Sequence, residues 1–529
     1  MSAISDTAFT GGRILSMGSG AGAPPVGEPE VVVVRDGRIA ATGGRALLDG
    51  HDGDIVDLAG RTLTPGFIDA HNHLTLAALH PLWADFRGVT DLDEAGRRLR
   101  DVAEREPGAA WVRGCQWDEV GGGLHLTRHD LDALGLDRPV VVGCFSYHRG
   151  VVSSAGLDAL GISASTPDPP GGAIERDERG EPTGRLIELA WSEVFARSLE
   201  GYLDPDRWAD LLEARAATLL TYGITAVHDP SVPPAAEAVG RRLAAEGRLP
   251  VSILAMPHAA ELLTGLDAER LDEGPVTGEG DESFRVGPVK LFADGGILPA
   301  IDAHFGGQRI QVGYRFPGLG DAMARALERG YAVAVHAMGN AGLVDALDAW
   351  EEAARSREPG RPLRIEHVTL AGEAEVARLR SLGVTGVIQP NFVETLGRAL
   401  GGIAEFDDAR WLPFADLRDA GIALAASSDD PCSFSAPLVT SRYGVTRLTD
   451  AGQEVGTGQT LTMKEWLRLY TAGAAAAGGQ EDERGRLVPG LRADMVVIEG
   501  DVDGDGPLEV AETWVGGVRV YDAAGTLTR

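Results

Sequence analysis

The chain has 529 residues, and 44% of them are hydrophobic, which is enough for a large buried core. Its 48 basic and 79 acidic residues leave a net charge of −31 without a visible basic patch, which argues against a nucleic-acid or anionic-membrane partner. The three cysteines, Cys115, Cys144 and Cys432, form no CxxC pair, so we expect no disulfide framework and a cytoplasmic location.

Both ends of the chain predict short β-strands. The first 60 residues alternate β-branched runs with Gly turns, as in EVVVVRDGRIAATGG, and they show no signal-peptide pattern. The last 45 residues have the same character, as in ADMVVIEG and ETWVGGVRVYD. We expect the strands of the two ends to pair into one small β-domain. The sequence contains no run of 18 apolar residues that would predict a membrane span.

The middle of the chain alternates apolar strand-like runs with helical segments, the pattern of a parallel sheet wrapped by helices. Eight candidate strands occupy residues 65–71, 223–229, 251–256, 286–292, 331–337, 364–368, 383–390 and 421–428. Amphipathic runs such as DRWADLLEARAATLLTYG lie between several of them and end with Gly. Eight strand–helix units predict an α/β fold, a (β/α)8 TIM barrel over residues 65–485.

A long gap separates the first candidate strand from the second. Residues 75–205 within it carry elements of their own, and we interpret them as an insertion at the C-terminal end of strand one. Barrel active sites lie on that face, so the insertion could form a lid or a substrate pocket. Its stretch 167–185, rich in Pro, Gly and charge, predicts a hairpin or an ordered loop, with a linker as the alternative.

Polar side chains stand near the ends of five of these strands. In TPGFIDAHNHL, two histidines at positions i and i+2 end strand one and point the same way. A lysine in VKLFADGG, histidines in VAVHAMG and RIEHV, and an aspartate in AASSDDP follow on strands four, five, six and eight. The set is His71, His73, Lys290, His336, His367 and Asp429. Imidazole and carboxylate are suitable ligands for zinc and related divalent ions, so the set predicts a metal site.

Each member of this set also has an ordinary structural explanation. A histidine in an apolar run is more often a hydrogen-bonded core residue than a ligand. A buried lysine usually pairs with a carboxylate, for which Asp294 is available. Asp429 and Asp430, followed by Pro431, could simply form a turn. The metal site is favoured because all the members occur together at the same ends of the strands.

Taken together, these motifs resemble the amidohydrolase superfamily, and within it the type-3 group that includes the N-substituted formamide deformylases. TPGFIDAHNHL is similar to the strand-one metal motif, VKLFADGG to the lysine segment, VAVHAMGN and RIEHVTL to the histidine segments, and SSDDP to the strand-eight aspartate. GRLVPGLRADMVVIEGD resembles the family's return to a β-sandwich. The resemblance therefore implies a composite β-sandwich domain built from residues 1–64 and 486–529.

The resemblance implies a centre of one or two divalent ions, with zinc as the expected metal. His71, His73 and Asp429 would bind one ion, and His336 and His367 a second. Lys290 would bridge them after N6-carboxylation by carbon dioxide, because a bare ammonium has no lone pair to offer a cation. Burial makes this plausible by lowering the pKa of the lysine. The alternative is one ion with an unmodified Lys290.

The resemblance also implies a hydrolase that cleaves a C–N bond in a small amide, formamide or cyclic amide. A metal-bound hydroxide would attack the carbonyl carbon, and Asp429 would pass a proton to the leaving nitrogen as general base and acid. An esterase or lactonase on the same centre is one alternative, and a non-catalytic metal-binding scaffold is another. Large acidic barrels of this type often pair, so the chain could form a homodimer.

Substrate contacts are predicted in the insertion and near strand four. Trp117 and Asp118 in GCQWDE, with His148 and Arg149 in YHRG, could supply an aromatic wall and a guanidinium that faces an anion. Trp117 could instead pack the insertion's own core. Asp294 could orient a ligand or the lysine. After strand four the chain reads GILPAIDA, where relatives usually continue with Gly, Ser and Arg. The substrate could therefore differ from the substrates of those relatives.

Overall fold

The computed structural model describes residues 6–18, 28–118, 123–199, 202, 204–258, 268–356, 360–400 and 405–525. The chain begins with β1 (Thr7–Thr10), β2 (Arg13–Ile14), β3 (Val31–Arg35), β4 (Arg38–Gly43), β5 (Asp54–Asp57) and β6 (Thr62–Pro65). It then enters β7 (Phe67–Asp69), which is buried throughout and lies inside the first predicted strand. The described part of the chain has no helix that is both long enough and apolar enough to cross a membrane.

A separate α/β unit follows β7. It contains α1 (Leu74–Ala77), β8 (Ala84–Asp85), α2 (Leu92–Arg105), β9 (Val112–Trp117), α3 (Arg128–Asp132), β10 (Val140–Cys144), β11 (Arg149–Val152), α4 (Ser154–Leu160), β12 (Gly172–Arg176), β13 (Pro182–Glu188) and α5 (Leu189–Arg197). Its six strands form one sheet in the order β12-β13-β11-β10-β9-β8. The segment 167–185 contains β12 and the start of β13, which pair as a hairpin. The hairpin interpretation is therefore confirmed, and the linker alternative is wrong.

Strands and helices alternate through the rest of the middle. They are α6 (Pro205–Leu220), β14 (Ile224–Val232), α7 (Pro234–Ala245), β15 (Ser252–Pro257), α8 (Ala268–Glu273), β16 (Phe284–Val286), β17 (Val289–Phe292), β18 (Ile301–Phe305), β19 (Gln308–Val312), α9 (Leu319–Glu328), β20 (Val333–Ala337), α10 (Asn340–Ser356), β21 (Arg364–His367), β22 (Leu370–Ala371), α11 (Glu373–Ser381), β23 (Thr385–Ile388), α12 (Phe392–Leu400), β24 (Arg410–Trp411), α13 (Phe414–Asp419), β25 (Ala423–Ala426), α14 (Pro437–Thr446), α15 (Met463–Arg468) and α16 (Ala474–Gly478).

Helix α6 shows how the local sequence sets these elements. The side chain of Asp204 accepts a hydrogen bond from the backbone N–H of Arg207 at 2.8 Å and caps the helix. Pro205 follows at the first helical position, where its missing N–H costs nothing. The apolar face of the helix then packs Trp208 and Leu212 into the main hydrophobic core.

The eight predicted strands correspond to β7, β14, β15, β17, β20, β21, β23 and β25, which confirms the α/β class. They are parallel and lie in two arcs, β7-β14-β15-β16 and β17-β20-β21-β23-β25. The arcs meet at a parallel bridge between His258 and Lys290. They meet again where the N–H of Ala70 donates to the carbonyl of Ala426 at 3.3 Å.

The fourth predicted strand, 286–292, is divided between β16 and β17. β16 pairs with β15, whereas β17 pairs with β20. The break falls at Gly287 and Pro288, and proline has no N–H to donate to a strand ladder. Lys290 lies in β17 and so belongs to the second arc.

The two ends of the chain share one sheet. The chain closes with β26 (Met495–Glu499), β27 (Glu509–Val515) and β28 (Val518–Asp522). β26 pairs antiparallel with β6 in a sheet of order β2-β6-β26-β27-β28, and a second sheet has the order β4-β3-β1-β5. Phe9 and Leu63 from the start of the chain pack with Met495 and Trp514 from its end in one buried cluster.

Candidate metal centre and active site

Three of the predicted ligands converge where β7 and β25 end. The Nε2 atoms of His71 and His73 lie 3.4 Å and 3.3 Å from Oδ1 of Asp429. One ligand atom from each of the three residues lies within 4.8 Å of the others. The backbone reinforces this meeting, because the N–H of Asp429 donates to the carbonyl of His71 at 2.8 Å. These three side chains could hold one divalent ion.

A row of neighbouring imidazoles, in edge-on or tilted contact, links this group to the other predicted ligands. Ring centroids are 5.2 Å apart between His73 and His71, and 4.9 Å apart between His71 and His367. The row continues at 4.6 Å from His367 to His336 and at 5.3 Å from His336 to His148. His336 and His367 therefore stand directly beside the first three ligands.

Hydrogen bonds at Nδ1 orient three of these rings. Nδ1 of His71 lies 2.5 Å from a carboxylate oxygen of Glu366, and Nδ1 of His367 lies 3.0 Å from the side-chain oxygen of Gln389. Nδ1 of His73 lies 3.2 Å from the carbonyl oxygen of Pro230. Because each of these acceptors needs an N–H, the proton belongs on Nδ1 and the Nε2 lone pair is left for a metal. Nε2 of His71 has no hydrogen-bond partner among the described residues.

Burial favours the neutral form of His71, His336 and His367. It holds the pKa of His71 and of His336 well below the usual value, and it lowers the pKa of His367 to about 4. Burial alone would raise the pKa of Asp429, but the neighbouring rings of His73 and His71 hold that pKa below its usual range. Neutral imidazoles and an ionised carboxylate are the protonation states that a divalent cation requires, so the donor set fits a metal.

Lys290 lies beside this group on β17 and is buried. Burial lowers its pKa to about 8, against the opposing charges of Glu366 and Asp429. Its Nζ stands 4.4 Å from the ring centroid of Phe292. An apolar setting of this kind increases the fraction of neutral amine, which is the form that reacts with carbon dioxide.

Asp294, predicted to orient a ligand or Lys290, follows β17 and is fully buried. Its carboxylate accepts backbone N–H groups from Ala300 at 2.9 Å, Met338 at 2.9 Å and Gly339 at 2.7 Å. Its Oδ1 lies 3.8 Å from Nε2 of His336. These contacts tie the loop after β17 to the end of β20, beside the ring of His336.

A cavity of about 520 Å³ opens above the six predicted ligands, and all six line it. His148 and Arg149 also line it, as predicted for substrate contacts. Trp117 does not, because it packs in the insertion's own core and donates its indole N–H to the carbonyl of Leu124 at 2.6 Å. Asp118 faces a different groove, where it pairs with Arg398 at 2.5 Å.

The sequence interpretation missed two buried residues of this site. His258 follows β15 and lines the cavity, and both of its ring nitrogens lack a hydrogen-bond partner among the described residues. Burial, followed by the charge of Lys290, lowers its pKa to about 4. Glu366 stands directly before His367 and is fully buried. In the sequence, both could have been noticed as polar residues within or just beyond a predicted apolar strand.

A carboxylate from the insertion fixes the cavity wall. Glu188 accepts hydrogen bonds from Nδ1 of His148 at 2.7 Å, from the N–H of Ile297 at 2.9 Å and from that of Leu298 at 3.1 Å. Its φ of +51° is rare for a residue with a side chain. His148 packs so closely on Gly296 that an added Cβ there would lie 2.3 Å from Nε2, so only glycine fits.

Comparisons with known proteins agree with this site. A sequence model of the amidohydrolase family matches residues 54–521. The N-substituted formamide deformylase of Arthrobacter pascens is 32% identical, over 94% of this chain and 96% of that protein. A putative amidohydrolase of Bacillus subtilis, YtcJ, is 29% identical, over 93% of this chain and 96% of that protein. A metal-dependent hydrolase from Pyrococcus furiosus of known structure has a TM-score of 0.69 at 26% identity, covering 94% of this chain and all of that one.

The chain belongs to the amidohydrolase family. It is an enzyme, a metal-dependent amidohydrolase acting on carbon–nitrogen bonds, which confirms both the family and the enzyme class predicted from the motifs.

Proposed function

We propose that this enzyme hydrolyses a carbon–nitrogen bond in a small amide, formamide or cyclic amide. The observation that carries the proposal is the convergence of the imidazoles of His71 and His73 on the carboxylate of Asp429, whose pKa is held low. The name of the Arthrobacter relative supports a formamide among these linkages. A scaffold without catalysis is less well supported, because all six predicted positions line one accessible cavity.

We propose His71, His73 and Asp429 as ligands of one divalent ion and His336 and His367 as ligands of a second, with zinc as the expected metal. A bound ion of this kind supplies a nucleophilic water near neutral pH and polarises a carbonyl group. Lys290, as its carbamate, would be the bridging ligand. Its burial and lowered pKa support that role, because both favour the neutral amine.

Asp429 is the proposed general base and acid. Its pKa is held low, so at neutral pH the carboxylate is ready to accept a proton from the attacking water. The same oxygen can then deliver that proton to the leaving nitrogen, which departs as a neutral amine. Its Oδ1 lies 3.4 Å and 3.3 Å from the Nε2 atoms of His71 and His73, the side chains with which it would share the ion.

The same proposal includes the architecture. Residues 65–485 would form one closed (β/α)8 barrel, residues 1–64 and 486–529 a composite β-sandwich, and residues 75–205 an insertion over the active-site face. The contacts between the two arcs and the β6–β26 pairing support it. Among the predicted substrate contacts, His148 and Arg149 line the cavity, while Trp117, Asp118 and Asp294 stand outside its lining.

A panel of amides and esters tests the function. The protein is loaded with Zn²⁺ or Mn²⁺ in bicarbonate, and bound metal is counted by mass spectrometry. N-phenethylformamide, N-phenethylacetamide and dihydrouracil are then compared with phenethyl acetate. We expect turnover of at least one amide and one to two ions per chain. Hydrolysis of the ester with no amide turnover would favour the esterase alternative and contradict the proposal.

A further inference from the structure

The cavity above the centre has almost entirely apolar walls. Its volume of about 520 Å³ is within the usual range of roughly 300–1,000 Å³ for small-molecule sites. One wall comes from α5 and the residues after it, and another from α12 and β24. The main apolar side chains of these walls are Trp191, Phe195, Leu199, Phe392, Leu396 and Trp411. Such walls favour a large aryl or alkyl group.

The loop after β17 continues this apolar lining. Ile297, Leu298 and Pro299 all face the cavity. The backbone N–H groups of Ile297 and Leu298 are bound to Glu188, so the loop presents side chains and not hydrogen-bond donors to a substrate. Leu298 is 42% exposed and stands where the cavity opens toward solvent.

The charged groups in the lining are already engaged. Apart from the proposed metal ligands, the charged side chains of the described lining are Glu188, Arg149 and His148, and His148 is paired with Glu188 at 2.7 Å. Glu188 is fully buried and accepts three hydrogen bonds. The guanidinium carbon of Arg149 lies 5.7 Å from the ring centroid of Trp117, in the insertion's own core, and this side chain has further interactions. Arg149 is therefore not a free cation for a substrate anion.

A substrate carboxylate would meet unfavourable conditions in this cavity. Burying a charged group without a partner is strongly unfavourable. The net charge of −31 also opposes the approach of anions at long range. A neutral apolar substituent carries no charge to bury and is not repelled by the net negative charge of the protein.

We propose that the substrate is uncharged and carries a large apolar group next to the scissile bond, and that the site rejects analogues with a carboxylate at that position. The inference rests on the proposed function for the linkage that is cleaved, but it concerns the rest of the substrate.

Two formamides that differ by one carboxylate test the inference. N-phenethylformamide and N-formylphenylalanine share the same phenyl group and formamide. We expect kcat/KM to be at least 100-fold higher for the neutral compound with the metal-loaded enzyme. Values within 3-fold of each other, or a preference for the acid, would overturn the inference.

The comparison does not depend on amide hydrolysis. If the enzyme cleaves esters and no amide, the proposed function fails. The inference is then tested by comparing kcat/KM for the neutral ester phenethyl acetate with kcat/KM for the acid O-acetyl-phenyllactate, with the same 100-fold criterion. If neither linkage is cleaved, calorimetric binding of the two formamides to the wild-type protein decides it. Tighter binding of the neutral compound then supports the inference, and equal or weaker binding overturns it.

A charge placed at the cavity mouth tests the physical cause. Leu298→Arg supplies a cation at an exposed position of the lining. We expect it to reduce, at least 10-fold, the ratio of kcat/KM for the neutral formamide to kcat/KM for the acid. Leu298→Met is the neutral control and should keep the wild-type preference. Val312→Arg adds the same charge on β19, at a site 54% exposed and outside the cavity lining, and should also keep it. An unchanged ratio in Leu298→Arg would contradict the explanation by charge.

Discussion

Glu366 holds the ring of His71 through a contact of 2.5 Å between its carboxylate and Nδ1, and both side chains are completely buried. Arg364 secures the other side of this carboxylate, with its Nε 2.5 Å from Oε1. Arg364 in turn contacts Nδ1 of His228 at 2.8 Å. Because a carboxylate behind a ligating imidazole fixes the ring and raises its basicity, Glu366 should tune the affinity of the centre for metal.

We therefore expect Glu366→Gln to weaken metal binding by about 10- to 100-fold, the usual effect of losing such a partner. Metal content is measured by mass spectrometry after dialysis against a graded chelator. Gln389→Ala is the matched variant, because Gln389 supports His367 through an equivalent contact at 3.0 Å. If two ions bind, each variant should weaken one of them. Unchanged affinity in Glu366→Gln would show that the contact does not act on the metal.

Replacement of Asp429 by Asn should remove turnover while some metal stays bound. Asn keeps the size of the side chain but cannot take a proton from water, and loss of a general base costs about 10²- to 10⁴-fold in rate. His71 and His73 still offer their Nε2 atoms, so partial metal occupancy should persist. The measurements are kcat on the best amide of the panel and the metal count. Near-normal turnover in this variant would exclude Asp429 as the base.

The residues of the candidate metal centre could be predicted because each lies at the end of a recognisable strand. His71 and His73 are two residues apart at the end of a strand and must face the same way. The remaining ligands lie on other parallel strands, whose carboxyl ends share one face of the sheet. Periodicity and strand counting were therefore enough to propose that His336, His367 and Asp429 meet.

The walls of the cavity could not be predicted in this way. Glu188 reaches the cavity wall because the chain turns at an unusual positive φ between β13 and α5, which no local sequence pattern predicts. His258 lies two residues beyond its predicted strand, and its position depends on the meeting of the two arcs. Trp117 had two equally good explanations in the sequence, and packing within the insertion decided between them.

Replacement of Glu188 by Ala should loosen the cavity wall without removing metal. The change leaves Nδ1 of His148 and the N–H groups of Ile297 and Leu298 without their acceptor. A fully buried group loses about 1–3 kcal/mol in this way, and these part-buried donors lose less. We expect KM to rise at least 10-fold with unchanged metal content, measured by steady-state kinetics and mass spectrometry.

Two further variants separate this role from a general loss of stability. Glu188→Gln keeps an oxygen acceptor for the two N–H groups and should restore most of the wild-type KM. Glu193→Ala, on helix α5 directly after Glu188 and with its side chain 66% exposed, should leave KM unchanged. An unaltered KM in Glu188→Ala, or loss of its metal, would contradict a positioning role for this carboxylate.

Asp229 should make the protein less stable as pH rises. Burial raises its pKa to about 8, although the N–H of Thr75 donates to Oδ2 at 3.0 Å. Between the ordinary pKa of 3.8 and about 8, the folded protein keeps this proton and the unfolded chain has lost it. Stability therefore falls across that window, by up to about 1.4 kcal/mol per pH unit for one proton.

Asp229→Asn removes the effect, so the melting temperature of this variant relative to wild type should increase from pH 5 to pH 8. Thermal melts of metal-free protein check this, with Asp137→Asn, at a side chain 87% exposed, as the control. A difference between Asp229→Asn and wild type that stays constant with pH would show that Asp229 is ionised in the folded protein throughout.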